Sequence, residues 1–170
     1  MTKKDKISHC VSVTDVLCSQ GIKNSPESAK YLSMAMEMFF TLLDDPESDV
    51  RMVADENLNR MTRSLGESNL GKLQVELYKE IKKNGSHRSV RAALTRFSGL
   101  AKYIRSAKCR PYLVNLLPCL DILSKRTEEQ VRLVESLNVY RLSCQHSTGA
   151  RGHGQLLPSA DVSAGPALQR

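Results

Sequence analysis

An all-α stack of antiparallel helix pairs, an α-solenoid, is the fold class this sequence predicts, and three observations predict it. The dipeptide Val-Arg recurs at Val50-Arg51, Val90-Arg91 and Val131-Arg132, at separations of 40 and 41 residues. Each copy follows a polar turn and opens an apolar stripe stepped by three and four residues, the spacing of one helical face. No segment alternates apolar and polar residues over a strand length. Aromatics make up only 5% of the chain and tryptophan is absent, so the core is aliphatic and suits helix-on-helix packing. A period near 40 belongs to helical repeats, whose pairs bury their stripes only by stacking on one another.

The elements follow in order. A leading helix over residues 4–19 places Ile7, Cys10, Val11 and Leu17 on one side, where they cover the front of the stack. The first pair spans about 26–65. Ser25 caps a helix that opens on Pro26 and Glu27 and carries Leu32, Ala35, Met36, Phe39 and Leu43. The turn Asp44–Asp49 then leads into Val50, Ala54, Leu58, Met61 and Leu65. Gly66 is placed as a left-handed residue ending that helix. The second pair, 69–105, carries Leu70, Leu73, Leu77 and Ile81. It turns at Asn84-Gly85-Ser86 and returns through Val90, Leu94, Phe97, Leu100 and Ile104.

The third pair, 111–142, has Leu113, Leu116, Leu117 and Leu120 on its first helix and Val131, Val134, Leu137 and Tyr140 on its second. Pro118 is expected to kink the first helix. Residues 1–142 thus form the repeat body. Residues 143–170, rich in Gly, Pro, Ser and His without lasting periodicity, read as a disordered tail.

Bulk properties narrow the function. The chain has 170 residues, 41% hydrophobic and 25% charged, enough for a folded core. The formal charge of +7 is concentrated: Lys79 to Arg110 holds ten basic residues against one acid, Glu80. The charged start shows no signal peptide, and the most apolar run, Leu113–Leu123, is too short to span a bilayer. Five cysteines without Cys-x-x-Cys spacing read as free thiols in a reducing compartment. The Asn84-Gly85-Ser86 sequon is then simply a turn.

Asp45-Pro-Glu-Ser-Asp-Val50-Arg51-Met-Val-Ala54 resembles the second-helix signature of HEAT repeats: an acid, four variable residues, Val-Arg, two more and Ala. Longer strings are more specific. Asn24–Glu27, Asp44–Glu56, Glu76–Gly85, Val90–Leu94 and Lys108–Leu120 resemble the start of the amino-terminal HEAT region of the huntingtin family, and the resemblance runs from about Thr2 to Leu137. It implies a HEAT-type solenoid acting as a non-enzymatic scaffold for vesicle-transport, autophagy and transcription partners, cytoplasmic and also nuclear. It implies no catalytic site. The family's amphipathic leader, polyglutamine tract and proline-rich segment do not precede Met1, and the match stops near Leu137. The expectation is a truncated or alternatively spliced product, or an incorrect gene model. In such a product the third pair lacks a neighbour, and self-association through the exposed end of the stack is expected.

Candidate residues fall into two sets. Val50, Arg51, Ala54, Val90, Arg91, Val131 and Arg132 read as repeat-signature positions. Each valine is buried, and each arginine reaches an acid of a neighbouring repeat, with Asp45 and Asp49 supplying part of an aspartate ladder. Lys79, Lys82, Lys83, Arg88, Arg96, Lys102 and Arg105 form a basic belt suited to an acidic protein partner. An anionic membrane surface is the alternative target. Nucleic acid is disfavoured because aromatic residues for base stacking are few. No pattern for a metal, a cofactor or catalysis emerges: Cys144, His146 and His153 lack zinc spacing, and Gly-rich phosphate loops and nucleophile elbows are absent.

Overall fold

The computed structural model of the chain describes residues 1–104 and 125–126. Those residues fold as helices: α1 (Lys3–Cys18), the short α2 (Gln20–Lys23), α3 (Ser28–Leu42), α4 (Ser48–Leu65), α5 (Leu70–Lys83) and α6 (His87–Leu100), then a 3₁₀ turn over Ala101–Tyr103. Short loops make α3/α4 and α5/α6 antiparallel pairs, and the pairs stack. One layer contains α1, α4 and α6 side by side; α3 and α5 form the other. The fold is therefore the HEAT-type helical repeat that the Val-Arg spacing predicts. Apart from Lys125 and Arg126, the third pair (111–142) lies outside the described residues, as do the tail (143–170), Val131, Arg132 and Arg105.

The stripes dictate the core. Leu32, Ala35, Met36, Phe39 and Leu43 of the first helix meet Val50, Ala54, Leu58, Met61 and Leu65 of its partner, all nearly or fully excluded from solvent. Leu73, Leu77 and Ile81 are buried with Val90, Leu94, Phe97 and Leu100. Burying one such large side chain contributes about 1.5–3 kcal/mol, so these positions dominate the folding free energy. Two buried threonines enter the core by bonding to their own helix. Thr14 Oγ1 donates to the Cys10 carbonyl at 2.8 Å, and Thr62 Oγ1 to Leu58 at 2.6 Å.

Several boundaries differ from the sequence expectation, each for a local reason. The first pair's helix begins at Ser28, because residues 25–28 form a tighter turn. Ser25 Oγ accepts from the Glu27 N–H, and the Ser25 carbonyl accepts from Ser28. The leading helix starts on a capping box in which Thr2 and Asp5 satisfy each other's backbone donors. It buries Cys10, Thr14 and Leu17 but leaves Val11 exposed. Leu70 is only half-buried. Helix α6 ends at Leu100, so Ile104 leaves the helix in extended backbone.

Gly66 is right-handed helical, at φ −58° and ψ −36°. Its missing side chain serves packing instead: a Cβ there would sit 2.4 Å from Cε2 of Tyr103. The left-handed residue is Asn84, at φ 47° and ψ 46°, one of the residue types that tolerate that region. Ser86 then caps α6 by accepting from the Ser89 N–H at 3.1 Å.

Candidate functional site

The two arms of the Val-Arg dipeptide part company. Val50 and Val90 are fully buried and Ala54 with them, while Arg51 is half-buried and Arg91 exposed. Arg51 does not reach an acid of a neighbouring repeat. Its Nη1 donates to the carbonyls of Asp45 and Pro46 at 2.7 and 2.9 Å, closing the loop that precedes its own helix. Arg96, five positions after Arg91, does cross to the neighbouring repeat. Its Nη2 donates to the Asp55 carbonyl at 2.9 Å and to Asp55 Oδ1 at 2.7 Å.

The acids expected in a ladder turn toward the leading helix. Lys6 Nζ bonds Asp45 Oδ2 at 2.6 Å, and Lys3 pairs with Asp49 and, at 3.7 Å, with Glu47. The Lys6 ammonium, helped by the Glu47 N–H, holds the Asp45 carboxyl below the usual carboxylate range. Hydrogen bonding to Asp49 raises the Lys3 ammonium. Asp44 makes the step to the second repeat: its two carboxylate oxygens accept from Ser86 Oγ at 2.7 Å and Ser89 Oγ at 3.1 Å. Arg126 continues the line, donating to Asn84 Oδ1 at 2.6 Å and to the Gly85 carbonyl at 2.9 Å. The result is a polar seam along the inter-helix turns, built from Lys, Asp, Ser and Arg rather than from a repeated aspartate.

The basic belt is divided by the fold. Lys79, Lys82 and Lys83 sit exposed on the last turns of α5. Two of them are answered from their own helix, Lys79 by Glu76 at 2.7 Å and Lys83 by Glu80 at 2.6 Å, and Glu80 raises the Lys83 ammonium. Lys102 lies over the Tyr103 ring, 4.9 Å from its centroid. Arg96 is not available as a freely exposed belt cation: only 9% of its side chain is exposed, because α4 packs beside it and Asp55 binds it. Arg88 and Arg91 stand exposed on the first turns of α6.

Those two arginines open onto a groove of about 570 Å³ between α4 and α6, lined also by Arg51, Met52, Asp55 and His87, with Arg96 set back within it. A further recess of about 490 Å³, sharing Thr95 and Arg96, follows the same pair of helices toward Lys102 and Tyr103. A separate groove of about 770 Å³ lies between α1 and α4, lined by Ile7, Val11, Val53 and Arg60. Sequence reasoning gave Arg51 a purely structural place and passed over Met52, Asp55 and His87. The signals were present: Met52 is a large apolar residue off the buried stripe, and Arg88 and Arg91 are three apart on one helix.

Among the described residues no group of three His, Cys, Asp or Glu side chains is arranged to hold a metal, and no helix is long and apolar enough to cross a membrane. Burial pushes the Cys10 thiol up, so it packs as an apolar group rather than a nucleophile.

Comparison with known proteins agrees with this architecture. The family model described as "Huntingtin, N-terminal HEAT 1" matches residues 39–141. The chain is 60% identical over 131 residues to a protein named Huntingtin from Takifugu rubripes, covering 77% of this chain and 4% of that protein. It is 29% identical over 80 residues to the HD protein homolog of Dictyostelium discoideum, covering 47% of this chain and 3% of that one. The chain thus corresponds to a small fraction of the length of the relatives it matches. By the family match and by its helix pairs, the chain belongs to the huntingtin family, within the N-terminal HEAT region.

Proposed function

We propose that the chain is a non-enzymatic protein–protein interaction scaffold that presents the outer face of its α1–α4–α6 layer to partners. One observation carries this reading: that face is recessed along both helix seams, and large apolar side chains stand in water beside charged ones. Met52 is 65% exposed and Val11 39%. Apolar anchors rimmed by arginines are the composition of contact surfaces rather than of ordinary solvated helix faces. Membership of the huntingtin family supports a role among vesicle-transport, autophagy or transcription-linked proteins in the cytoplasm and nucleus.

The competing reading, a peripheral membrane or polyanion binder acting through residues 79–110, is weakened by the division of the belt. Two of its three α5 lysines are paired with glutamates, and Arg96 is buried.

Cross-linking mass spectrometry on complexes captured from cytosol tests the proposal. Cross-links concentrated on α1, α4 and α6, persisting when salt is raised well above about 0.15 M, are expected. Cross-links concentrated on α3 and α5, or capture lost entirely at high salt, would favour the polyanion reading.

A further inference from the structure

We propose that Ser86 is a phosphorylation site, and that a phosphate there shifts the hold on the α5–α6 turn from Asp44, one repeat back, to Arg126, one repeat on. The surrounding sequence, Lys82-Lys83-Asn84-Gly85-Ser86-His87-Arg88, puts bases four and three residues before the hydroxyl and two after it. Kinases with acidic substrate grooves select their serines through flanking bases of this kind. The fold presents the same stretch, which is the end of α5 and the loop leading into α6. Ser86 is half-buried, and Lys82, Lys83, Asn84, Gly85, His87 and Arg88 are all exposed. Lys83, although bonded to Glu80, keeps 58% of its side chain in water. Ser89 also has arginines nearby, at 88 and 91, but it is buried, with its hydroxyl turned to the Phe40 carbonyl and Asp44.

In the transfer, Ser86 Oγ attacks the γ-phosphorus of ATP. The Oγ–P bond forms as the bond from that phosphorus to the β–γ bridging oxygen breaks. ADP leaves with the electron pair, and the hydroxyl proton passes to a carboxylate of the kinase.

The hydroxyl has two parts in the folded chain. As a donor it bonds Asp44 Oδ1 at 2.7 Å; as an acceptor it caps α6 by taking the Ser89 N–H at 3.1 Å. Esterification removes the proton, so the bond to Asp44 is lost by chemistry alone. It also sets a group of about −1.5 to −2 charge against that carboxylate, and like charges so close repel. Ser89 Oγ still holds the other carboxylate oxygen at 3.1 Å, so the backward contact weakens without vanishing. The capping part survives, because the ester and phosphate oxygens still accept and negative charge suits the start of a helix. On the far side of the turn, Arg126 Nη1 donates to Asn84 Oδ1 at 2.6 Å and to the Gly85 carbonyl at 2.9 Å. A guanidinium therefore stands beside the residue next to Ser86, and guanidinium is a strong partner for phosphate. One modification loosens the step to the first repeat and tightens the step onward, with no helix unwound.

The test treats the full chain with magnesium-ATP and, in separate reactions, two kinases that read flanking bases: the catalytic subunit of cAMP-dependent protein kinase, and protein kinase C. Peptide mapping and hydrogen exchange follow. Phosphate is expected on Ser86 in a chain with unchanged circular dichroism, with none at that peptide in Ser86→Ala. Labelling should be about ten-fold slower in Lys82→Gln with Lys83→Gln. In the phosphorylated chain the amides of residues 44–49 should exchange about three-fold faster, and those of 125 and 126 more slowly. Asp44→Asn should cancel the quickening and Arg126→Gln the slowing, each variant measured against its own unphosphorylated form. Failure of both kinases to label the folded chain, labelling confined to Ser89 or to other serines, or a rate indifferent to the two lysines overturns the site. Phosphate on Ser86 with unchanged exchange at 44–49, or with the same change in Asp44→Asn, overturns the switch.

Discussion

At Gly66 two residue-level effects oppose each other. The position has helical dihedral angles, so alanine there brings better helix propensity, about 0.5–1 kcal/mol at most so near the helix end. The new Cβ, however, would lie 2.4 Å from the Tyr103 ring and 3.0 Å from the Thr62 carbonyl. Overpacking of this kind costs about 1–3 kcal/mol, so the steric effect wins and Gly66→Ala should lower the thermal midpoint. Tyr103→Leu in the same chain should recover much of the loss, and a double-mutant cycle measures the coupling. Gly66→Ala raising the midpoint would show that the ring does not rest there. The glycine's role was hidden in the sequence because its partner is 37 positions away. Local reasoning saw a glycine after a helical stripe and assigned a left-handed cap. Arg96 was hidden for a similar reason: its identity says "surface", and only the packing of α4 against α6 reveals that its head is held by Asp55.

At the scale of elements, the apolar period was the most legible feature. It located α3, α4, α5 and most of α6, because a stripe stepped by three and four has one interpretation when its neighbours are polar. The groove was less legible, since it is made by two helices about forty residues apart and its charge comes from residues that individually resemble solvated surface. The leading helix is held differently from the others. It buries little beyond Cys10, Thr14 and Leu17, and its first turn is tied down by Lys3 and Lys6. Asp45, the partner of Lys6, has a folded pKa depressed below its unfolded value near 3.9. Its contribution is therefore complete above that unfolded value and disappears as pH falls through the lower folded one. The pH dependence of stability below about pH 4 should accordingly be shallower in Asp45→Asn than in the natural sequence, and amides of residues 3–18 should exchange faster in the variant at neutral pH. Parallel acid profiles for the two chains would show that the Lys6–Asp45 bond does not fasten α1.

For the molecule as a whole, the decisive fact is that one apolar cluster draws residues from α1, α3, α4, α5 and α6. A core shared in this way should melt as a unit across residues 1–104. Val90 lies within it at 0% exposure. Val90→Asp would place an unpaired carboxylate there and should cost about 4 kcal/mol, appearing as a large fall in the midpoint of the helical circular dichroism signal. An unchanged midpoint would mean that the second pair is not packed on the first as described.

The polar seam has a mechanical consequence. Ser86 to Asp44, Arg96 to Asp55 and Arg126 to Asn84 each join residues 41 or 42 apart, one repeat and no more. Fasteners of that reach resist only the parting of adjacent layers, like the links of a chain. A load applied along the stack therefore meets these fasteners in series, one repeat interface after another, above a shared apolar core. Such an object is elastic and absorbs strain gradually, where a domain pinned by long-range strand pairing would hold rigid and then snap.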